Sequence, residues 1–311
     1  MTSVVPDQFA ADVRAGAVEP RPPAVRGSRL LVALLVTLVA LVAGCGEGSE
    51  TAERHGEGRA VVGGGPQHVH GLGVDATDLY IASHTGLWRA PAGETKAQRV
   101  GDIRHDLMGF TVVGPDHFLA SGHPDARQDL PPRMGLQRST DAGRSWETVS
   151  LLGEADLHVL RAAGRRIYGV DSGTGTFLTS ADNGRTWQQR TPPAPVFDLA
   201  VAHDPSRRLV IATERGLFSS LDTGRTWRRL RDDLAGLLAW PGGEALYLVD
   251  GQGAVMRSAD AGRTFRQVGE VGSQPQAFIA TSARELYAAV QGGVVLMSSD
   301  GGASWRTRST P

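Results

Sequence analysis

Short apolar segments rich in β-branched residues recur along the chain, and they predict strands rather than helices. Six pairs of such segments follow one another, and they define six units that begin near residues 66, 105, 154, 196, 234 and 274. The first segments read HGLGVD, MGFTVV, HVLRAA, DLAVAH, LLAWPG and AFIATS. The second segments carry one matched position, which is occupied by Tyr80, Phe118, Tyr168, Val210, Tyr247 and Tyr287. We expect these six side chains to pack in the interior.

A second pattern repeats once in every unit except the first. It reads Ser-x-Asp-x-Gly-x-Ser/Thr-aromatic and spans 139–146, 180–187, 220–227, 258–265 and 298–305. Its aspartates, Asp141, Asp182, Asp222, Asp260 and Asp300, are 41, 40, 38 and 40 residues apart. That period equals the length of one four-stranded propeller blade. The sequence therefore predicts an all-β propeller of six four-stranded blades, with five or seven left open because ring closure can borrow a strand.

The residue types of this repeat suit a tight turn between two strands. Glycine tolerates positive φ, and a short aspartate accepts hydrogen bonds from the free N–H groups of the turn. The repeat resembles the Asp-box, or BNR, motif of sialidase-like propellers, over residues 66 to about 308. The resemblance implies that the turn joins the third and fourth strands of a blade, on the face opposite the usual binding site. The closing aromatic residue would then pack between neighbouring blades.

Charge and cysteine content exclude several functions. The 311-residue chain has 32 Lys and Arg against 33 Asp and Glu, a formal net charge of -1. No basic surplus is present to neutralise phosphates, so we expect no nucleic-acid partner. A single cysteine, Cys45, excludes both a disulfide framework and a cysteine-based zinc site.

The N-terminal residues predict an export signal. An apolar run from Leu30 to Ala43 follows several arginines and precedes Cys45 directly. The run is too short for a comfortable membrane span, and 41–45 resembles a bacterial lipobox, which implies lipidation of Cys45. An uncleaved signal anchor is the alternative.

We therefore expect residues 1–44 to be a signal peptide, 45–65 a flexible tether and 66–311 the propeller. The protein would be a monomer held at the extracytoplasmic face of the cell membrane by a lipid on Cys45.

Histidines concentrate at one predicted face of the propeller. His70 and His158 both stand ten residues before the matched tyrosine, at the start of a first strand, and Met108 holds this place in unit two. Strand alternation puts His68 on the same side as His70. His84 and His123 end second strands on that face, and His105 enters a first strand there. An isolated histidine at a strand end is usually a hydrogen-bonded loop residue, but six on one face favour a functional cluster.

The residue types in this cluster fit two kinds of chemistry. Neutral imidazoles near a thioether suit copper or zinc, and we predict His68, His70, His84, His123 and His158 as metal ligands. Acid–base or hydrogen-bonding groups for a small ligand or a glycan remain the alternative. Residues predicted to contact that ligand, or to support the metal ligands, are His105, Asp106, Asp156, Asp171 and Glu214. An insertion in unit two, 122–135, lies on the same rim and is either a tolerated loop or a lid that offers Asp125, Arg127, Asp129 and Arg133.

The resemblance to sialidase-like propellers also implies a second functional hypothesis, a glycosyl hydrolase. Such sites use a tyrosine nucleophile and a carboxylate-binding arginine cluster, but all four tyrosines here stand at one strand position. Hydrolysis by two carboxylates would need a facing pair on the rim, drawn from Asp106, Asp156, Asp171, Asp198 and Glu214. A non-catalytic scaffold for protein interactions is the third hypothesis. We prefer a ligand-binding or metal-binding propeller.

Overall fold

The computed structural model describes residues 65–203, 208–243 and 245–311, and within these ranges it contains strands, turns and loops without a helix. No membrane-crossing helix therefore occurs among them. The predicted signal peptide, Cys45 and the tether up to residue 64 lie outside the described residues. The strands are β1 Val69–Asp75, β2 Asp78–Ser83, β3 Gly86–Ala90, β4 Gln98–Arg99, β5 Asp106–Gly114, β6 His117–His123, β7 Leu136–Ser139, β8 Glu147–Ser150, β9 Leu157–Ala163, β10 Arg166–Asp171, β11 Phe177–Ser180, β12 Gln188–Arg190, β13 Val196–Val201, β14 Leu209–Thr213, β15 Gly216–Ser220, β16 Arg228–Arg231, β17 Leu237–Ala239, β18 Leu246–Val249, β19 Ala254–Ser258, β20 Arg266–Glu270, β21 Pro275–Ala280, β22 Leu286–Val290, β23 Val295–Ser298 and β24 Arg306–Ser309.

Each blade is an antiparallel sheet of four consecutive strands, and six such sheets form the propeller. The first strands β1, β5, β9, β13, β17 and β21 contact one another in turn, and β21 returns to β1. The prediction of six four-stranded blades is confirmed. A bridge between Lys96 and Thr310 joins blade one to the C-terminal residues, and Arg308 donates to the carbonyl oxygens of Ala90 and Glu94. Among the described residues, the ring thus closes by packing, one backbone bridge and side-chain hydrogen bonds, with no strand shared between blades.

The hydrophobic core is divided into six layers, one between each pair of neighbouring blades. The matched second-strand positions are buried in these layers, as the sequence predicts: Tyr80, Phe118, Tyr168, Val210, Tyr247 and Tyr287 are each at most 4% exposed. The closing aromatics of the repeated turns pack against the same layers: Trp146, Trp187, Trp227, Phe265 and Trp305. The apolar periodicity therefore stabilises contacts between blades as well as within them.

The repeated turns join third to fourth strands through one hydrogen-bond pattern. In the turn after β7, the Ser139 hydroxyl donates to Asp141 Oδ1 at 2.8 Å, and the Ser145 amide and hydroxyl both donate to the same carboxylate. Ala142 and Gly143 adopt φ of 59° and 85°, so this turn needs the left-handed region twice. The hydrogen bond from the Ser145 hydroxyl is the largest of the influences that lower the pKa of Asp141, to about 2.

Five of the six first strands contain a β-bulge near their N-terminal end. The pairing register skips one residue between first and second strand in each, and the skipped residues are His70, Met108, His158, Phe197 and Gln276. A bulge leaves one residue unpaired and re-aims its side chain. All five bulge residues line one cavity of about 170 Å³.

Candidate metal and ligand site

Two clusters of histidine and aspartate lie at the junctions between blades one, two and three. We call them the blade 1–2 group (His68, His70, His84 and Asp106) and the blade 2–3 group (His123, Asp156 and His158). In each group one nitrogen or oxygen from each of three residues lies within 4.8 Å of the others, with His70, His84 and Asp106 in the first. Metal ions are commonly held by such sets of imidazole and carboxylate.

The blade 1–2 group joins the end of β2 to the start of β5. His84 Nδ1 lies 2.7 Å from Asp106 Oδ2, and the His84 ring centroid lies 4.5 Å from that of His70. The His68 ring is 5.1 Å from the His84 ring. His68 reaches this position from a φ of 51° just before β1, and not by the strand alternation that the sequence suggested.

Burial controls the protonation of His70. Removal from water, followed by the charge of His84, lowers the pKa of His70 to about 4, while Asp106 acts in the opposite direction. The ring is therefore neutral at physiological pH, which is the form that binds a metal. His70 Nε2 and Asp106 Oδ1 are buried, and neither has a hydrogen-bond partner among the described residues.

The blade 2–3 group has a similar core with more supporting contacts. Asp156 Oδ2 lies 2.7 Å from His158 Nε2 and 3.5 Å from His123 Nε2, and it accepts the Ser172 hydroxyl at 3.0 Å. The buried Asp156 Oδ1 has no partner within the described ranges. Burial acts to raise the pKa of Asp156, but the hydrogen bond from His158 and further favourable contacts outweigh it and hold the pKa below its ordinary value.

The insertion of blade two orients one histidine of this group. His123 Nδ1 lies 2.9 Å from the carbonyl oxygen of Pro132, so Nδ1 carries a proton, and this contact aims Nε2 at Asp156. Asp125 and Arg127 pair with each other inside the loop, and Arg133 donates to the Glu154 carbonyl oxygen. These side chains hold the loop together and against blade three.

Other residues predicted from the sequence lie outside the two groups. His105 is buried, and its Nδ1 accepts the Asp125 amide at 3.0 Å. Asp171 is also buried, and it accepts the Asp156 amide at 2.9 Å and the Thr174 hydroxyl. Asp171 thereby positions Asp156. Glu214 is exposed at the end of β14.

An ion pair between Arg161 and the buried Asp198 also lines the cavity. Arg161 donates to Asp198 Oδ1 at 2.7 Å and to the Leu160 carbonyl oxygen, while Asp198 also accepts the amides of Leu199 and Leu238. Burial raises the pKa of Asp198, and Arg161 opposes that shift. Arg161 lines the upper cavity and also a second one on the opposite side, which includes His203.

Sequence reasoning missed three residues of this cavity: Arg161, Phe197 and Gln276. The last two hold the same repeat position as His70, Met108 and His158, so a full alignment of the six first strands would have found them. Arg161 gives no comparable signal, because its role depends on a contact with the next blade.

The chain was compared with known proteins, and no family model matches it. It is 28% identical to the dispase autolysis-inducing protein of Streptomyces mobaraensis over 187 residues, which is 53% of this chain and 46% of that protein. The chain thus spans about half the length of this relative.

Solved structures show the same fold at low sequence identity. The GH74 xyloglucanase from Xanthomonas campestris matches with a TM-score of 0.53 and 18% identity, over 78% of this chain and 45% of its own. The Niastella koreensis GH74 enzyme matches with 0.54 and 16%, over 78% and 45%. A nidogen/laminin complex chain matches with 0.60 and 15%, over 75% and 93%. The chain is a six-bladed β-propeller with GH74-like structural neighbours.

Proposed function

We propose that this protein is an extracytoplasmic, lipid-anchored propeller that binds copper or zinc at its two His/Asp groups. The observation that carries the proposal is the presence of buried, unpartnered ligand atoms in both groups. His70 Nε2 and Asp106 Oδ1 belong to one, and Asp156 Oδ1 to the other. A buried polar atom without a partner costs free energy, and one cation would satisfy several of these atoms together.

The donor types support a transition metal over a hard cation. Each group offers two or more imidazoles and one carboxylate, whereas calcium and magnesium favour sets of oxygen ligands. The low pKa of His70 means that protons do not compete for that ring at neutral pH. Met108 lines the same cavity, and its thioether would favour copper.

The proposal of a membrane anchor is based on the sequence. Residues 41–45 resemble a lipobox, and the tether that follows would hold the propeller away from the membrane as a monomer. Metabolic labelling with a radioactive fatty acid tests this: wild-type protein should be labelled, and a Cys45→Ser variant should not.

A glycosyl hydrolase receives less support from the geometry. Asp171 and Asp198 accept backbone amides in the interior, so a catalytic pair would have to come from Asp106, Asp156 and Glu214. The GH74 likeness concerns the fold and carries no substrate with it. A scaffold role would parallel the Streptomyces relative, whose name describes an effect on dispase. Hydrolysis of a fluorogenic glycoside would support the glycosyl hydrolase. Membrane pull-downs test the scaffold: partners retained by a variant without the rim histidines would support it.

The decisive experiment is metal analysis of the detergent-solubilised full chain. After loading with zinc or copper and removal of free ions, we expect up to two ions per chain. His70→Ala and His158→Ala should each remove one of them, while His117→Ala, at a distant hairpin, should leave both. A folded protein that retains neither metal would refute the proposal, as would unchanged metal content in both rim variants.

A further inference from the structure

The cavity beneath the two groups carries a set of ligand-binding features that metal binding alone does not use. It is lined by the bulge residues of five blades, and Arg161 and Asp198 lie at its base. From these features we infer that it binds a small oxygen-rich dianion, of the phosphate class, between the two His/Asp groups and Arg161. The inference rests on the proposed metal sites.

Formal charge is the first argument. Arg161 and Asp198 form an ion pair and neutralise each other. Two divalent ions would outweigh the carboxylates of Asp106 and Asp156 by two charges. Because the cavity lies inside a ring with a low-dielectric interior, such an excess attracts an anion more strongly than it would in water.

The second argument is the availability of hydrogen-bond donors. A guanidinium has five N–H groups, and the contacts of Arg161 use one toward Asp198 and one toward Leu160. The remaining donors can serve an oxyanion, for which the planar guanidinium is well suited.

Gln276 supplies the third argument. Its Oε1 is buried and has no partner among the described residues, yet the side chain lines the cavity from blade six. Amide oxygen and nitrogen can exchange places by rotation, so this group can present its NH₂ to an anion. Gln276 from blade six and Arg161 from blade three would then both contact the ligand.

The cavity size limits the ligand. A cavity of about 170 Å³ has room for a phosphate-sized ion. Phe197 and Leu237 line the wall on the side of blades four and five, where no charged group of the two metal sites is present.

Calorimetric titration with inorganic phosphate tests the inference. The zinc-loaded full chain in detergent is freed of unbound metal, and its zinc content is measured before and after titration. We expect one phosphate per chain, with clearly weaker binding to metal-free protein. Gln276→Leu and Arg161→Lys should each weaken binding about tenfold or more at unchanged zinc content, because each loses a hydrogen bond to a charged group. Arg165→Lys, the same change at an exposed turn, should have no effect.

The outcomes separate the two proposals. Zinc bound without phosphate uptake overturns the anion site and leaves the metal sites standing. Phosphate uptake that is equal in Gln276→Leu, Arg161→Lys and wild type shows binding to the metal ions alone, and it also overturns the assignment. If zinc is not retained, the copper-loaded chain is titrated in its place, and failure to retain either metal refutes both proposals. Circular dichroism of each variant identifies loss of fold, and Gln276→Leu preserves the Arg161–Asp198 pair if Arg161→Lys does not fold.

Discussion

His84 Nδ1 and Asp106 Oδ2 lie 2.7 Å apart, and this contact joins the second strand of one blade to the first strand of the next. The same relationship recurs one blade further on, where His123 Nε2 lies 3.5 Å from Asp156 Oδ2. Rotation of the blade about the ring axis thus produces two similar groups from residues that are far apart in sequence. The groups differ in where the second imidazole originates, because His70 and His84 share blade one while His158 belongs to blade three.

Replacement of His84 should affect one group only. We expect His84→Ala to abolish the ion of the blade 1–2 group and to leave the other, because His84 is the imidazole that contacts Asp106. Metal content after dialysis measures this, with His117→Ala as the matched control. Loss of both ions in a folded His84→Ala protein would show that the groups act as a single site.

Ser172 offers a milder test of the blade 2–3 group. Its hydroxyl donates to Asp156 Oδ2, and removal of such a supporting hydrogen bond commonly lowers metal affinity by about 10-fold or more. Ser172→Ala should therefore weaken one ion selectively in a competition titration with a coloured chelator. Ser299→Ala, in an exposed turn, should match wild type. An unchanged affinity would mean that the hydroxyl does not orient the ligand.

The repeated turns should contribute to stability individually. Asp222 accepts the Ser220 hydroxyl and both the amide and hydroxyl of Thr226. We expect Asp222→Ala to lower the free energy of unfolding by about 1 to 2 kcal/mol, since several hydrogen bonds to one charged group are lost. Urea denaturation followed by tryptophan fluorescence measures the change, and Asp232→Ala at an exposed loop position is the control. No change in midpoint would contradict the role assigned to the turn.

The same carboxylates should give the fold an acid-sensitive component. The pKa of Asp222 is lowered from 3.8 to about 2, first by the Thr226 hydroxyl. A lowered folded-state pKa stabilises the fold above the unfolded value of 3.8, and this stabilisation is lost as the pH falls through about 2. Thermal unfolding of metal-free protein between pH 5 and pH 2 should therefore show a steeper decline for wild type than for Asp222→Asn. Parallel curves would exclude this linkage.

Breaking the Arg161–Asp198 pair should lower the free energy of unfolding strongly, whereas replacing both residues with apolar ones should lower it much less. Arg161→Met leaves a buried carboxylate without its cation, and we expect a loss of about 3 kcal/mol or more. The double variant Arg161→Met with Asp198→Leu should recover much of that loss, because two apolar side chains can pack together. Urea unfolding of both variants measures the difference. A double variant no more stable than Arg161→Met would show that the amide contacts of Asp198 outweigh the charge.

The blade boundaries and the interior positions could be predicted because each depends on local pattern. The turn between third and fourth strands needs the same residues in every blade, so five copies of Ser-x-Asp-x-Gly predicted five blades directly. The matched tyrosines are buried because alternation along a strand and position within a repeat are properties of sequence spacing. Placing the histidines on one face followed from the same register. His68 shows the limit: it lies near His84 through a left-handed backbone conformation, which alternation does not describe.

The amino-acid sequence by itself determined a ring of repeated four-stranded units and the set of histidines and aspartates that the ring could bring together. Only the tertiary structure decided how those residues divide into two groups, since the division depends on which blade edges meet. It also decided which residues enter the cavity, because a β-bulge turns one side chain inward in five of the six first strands and its place is set by pairing with the next strand. The contact of Arg161 with Asp198 was likewise decided by the tertiary structure, because it forms only after blades three and four have packed.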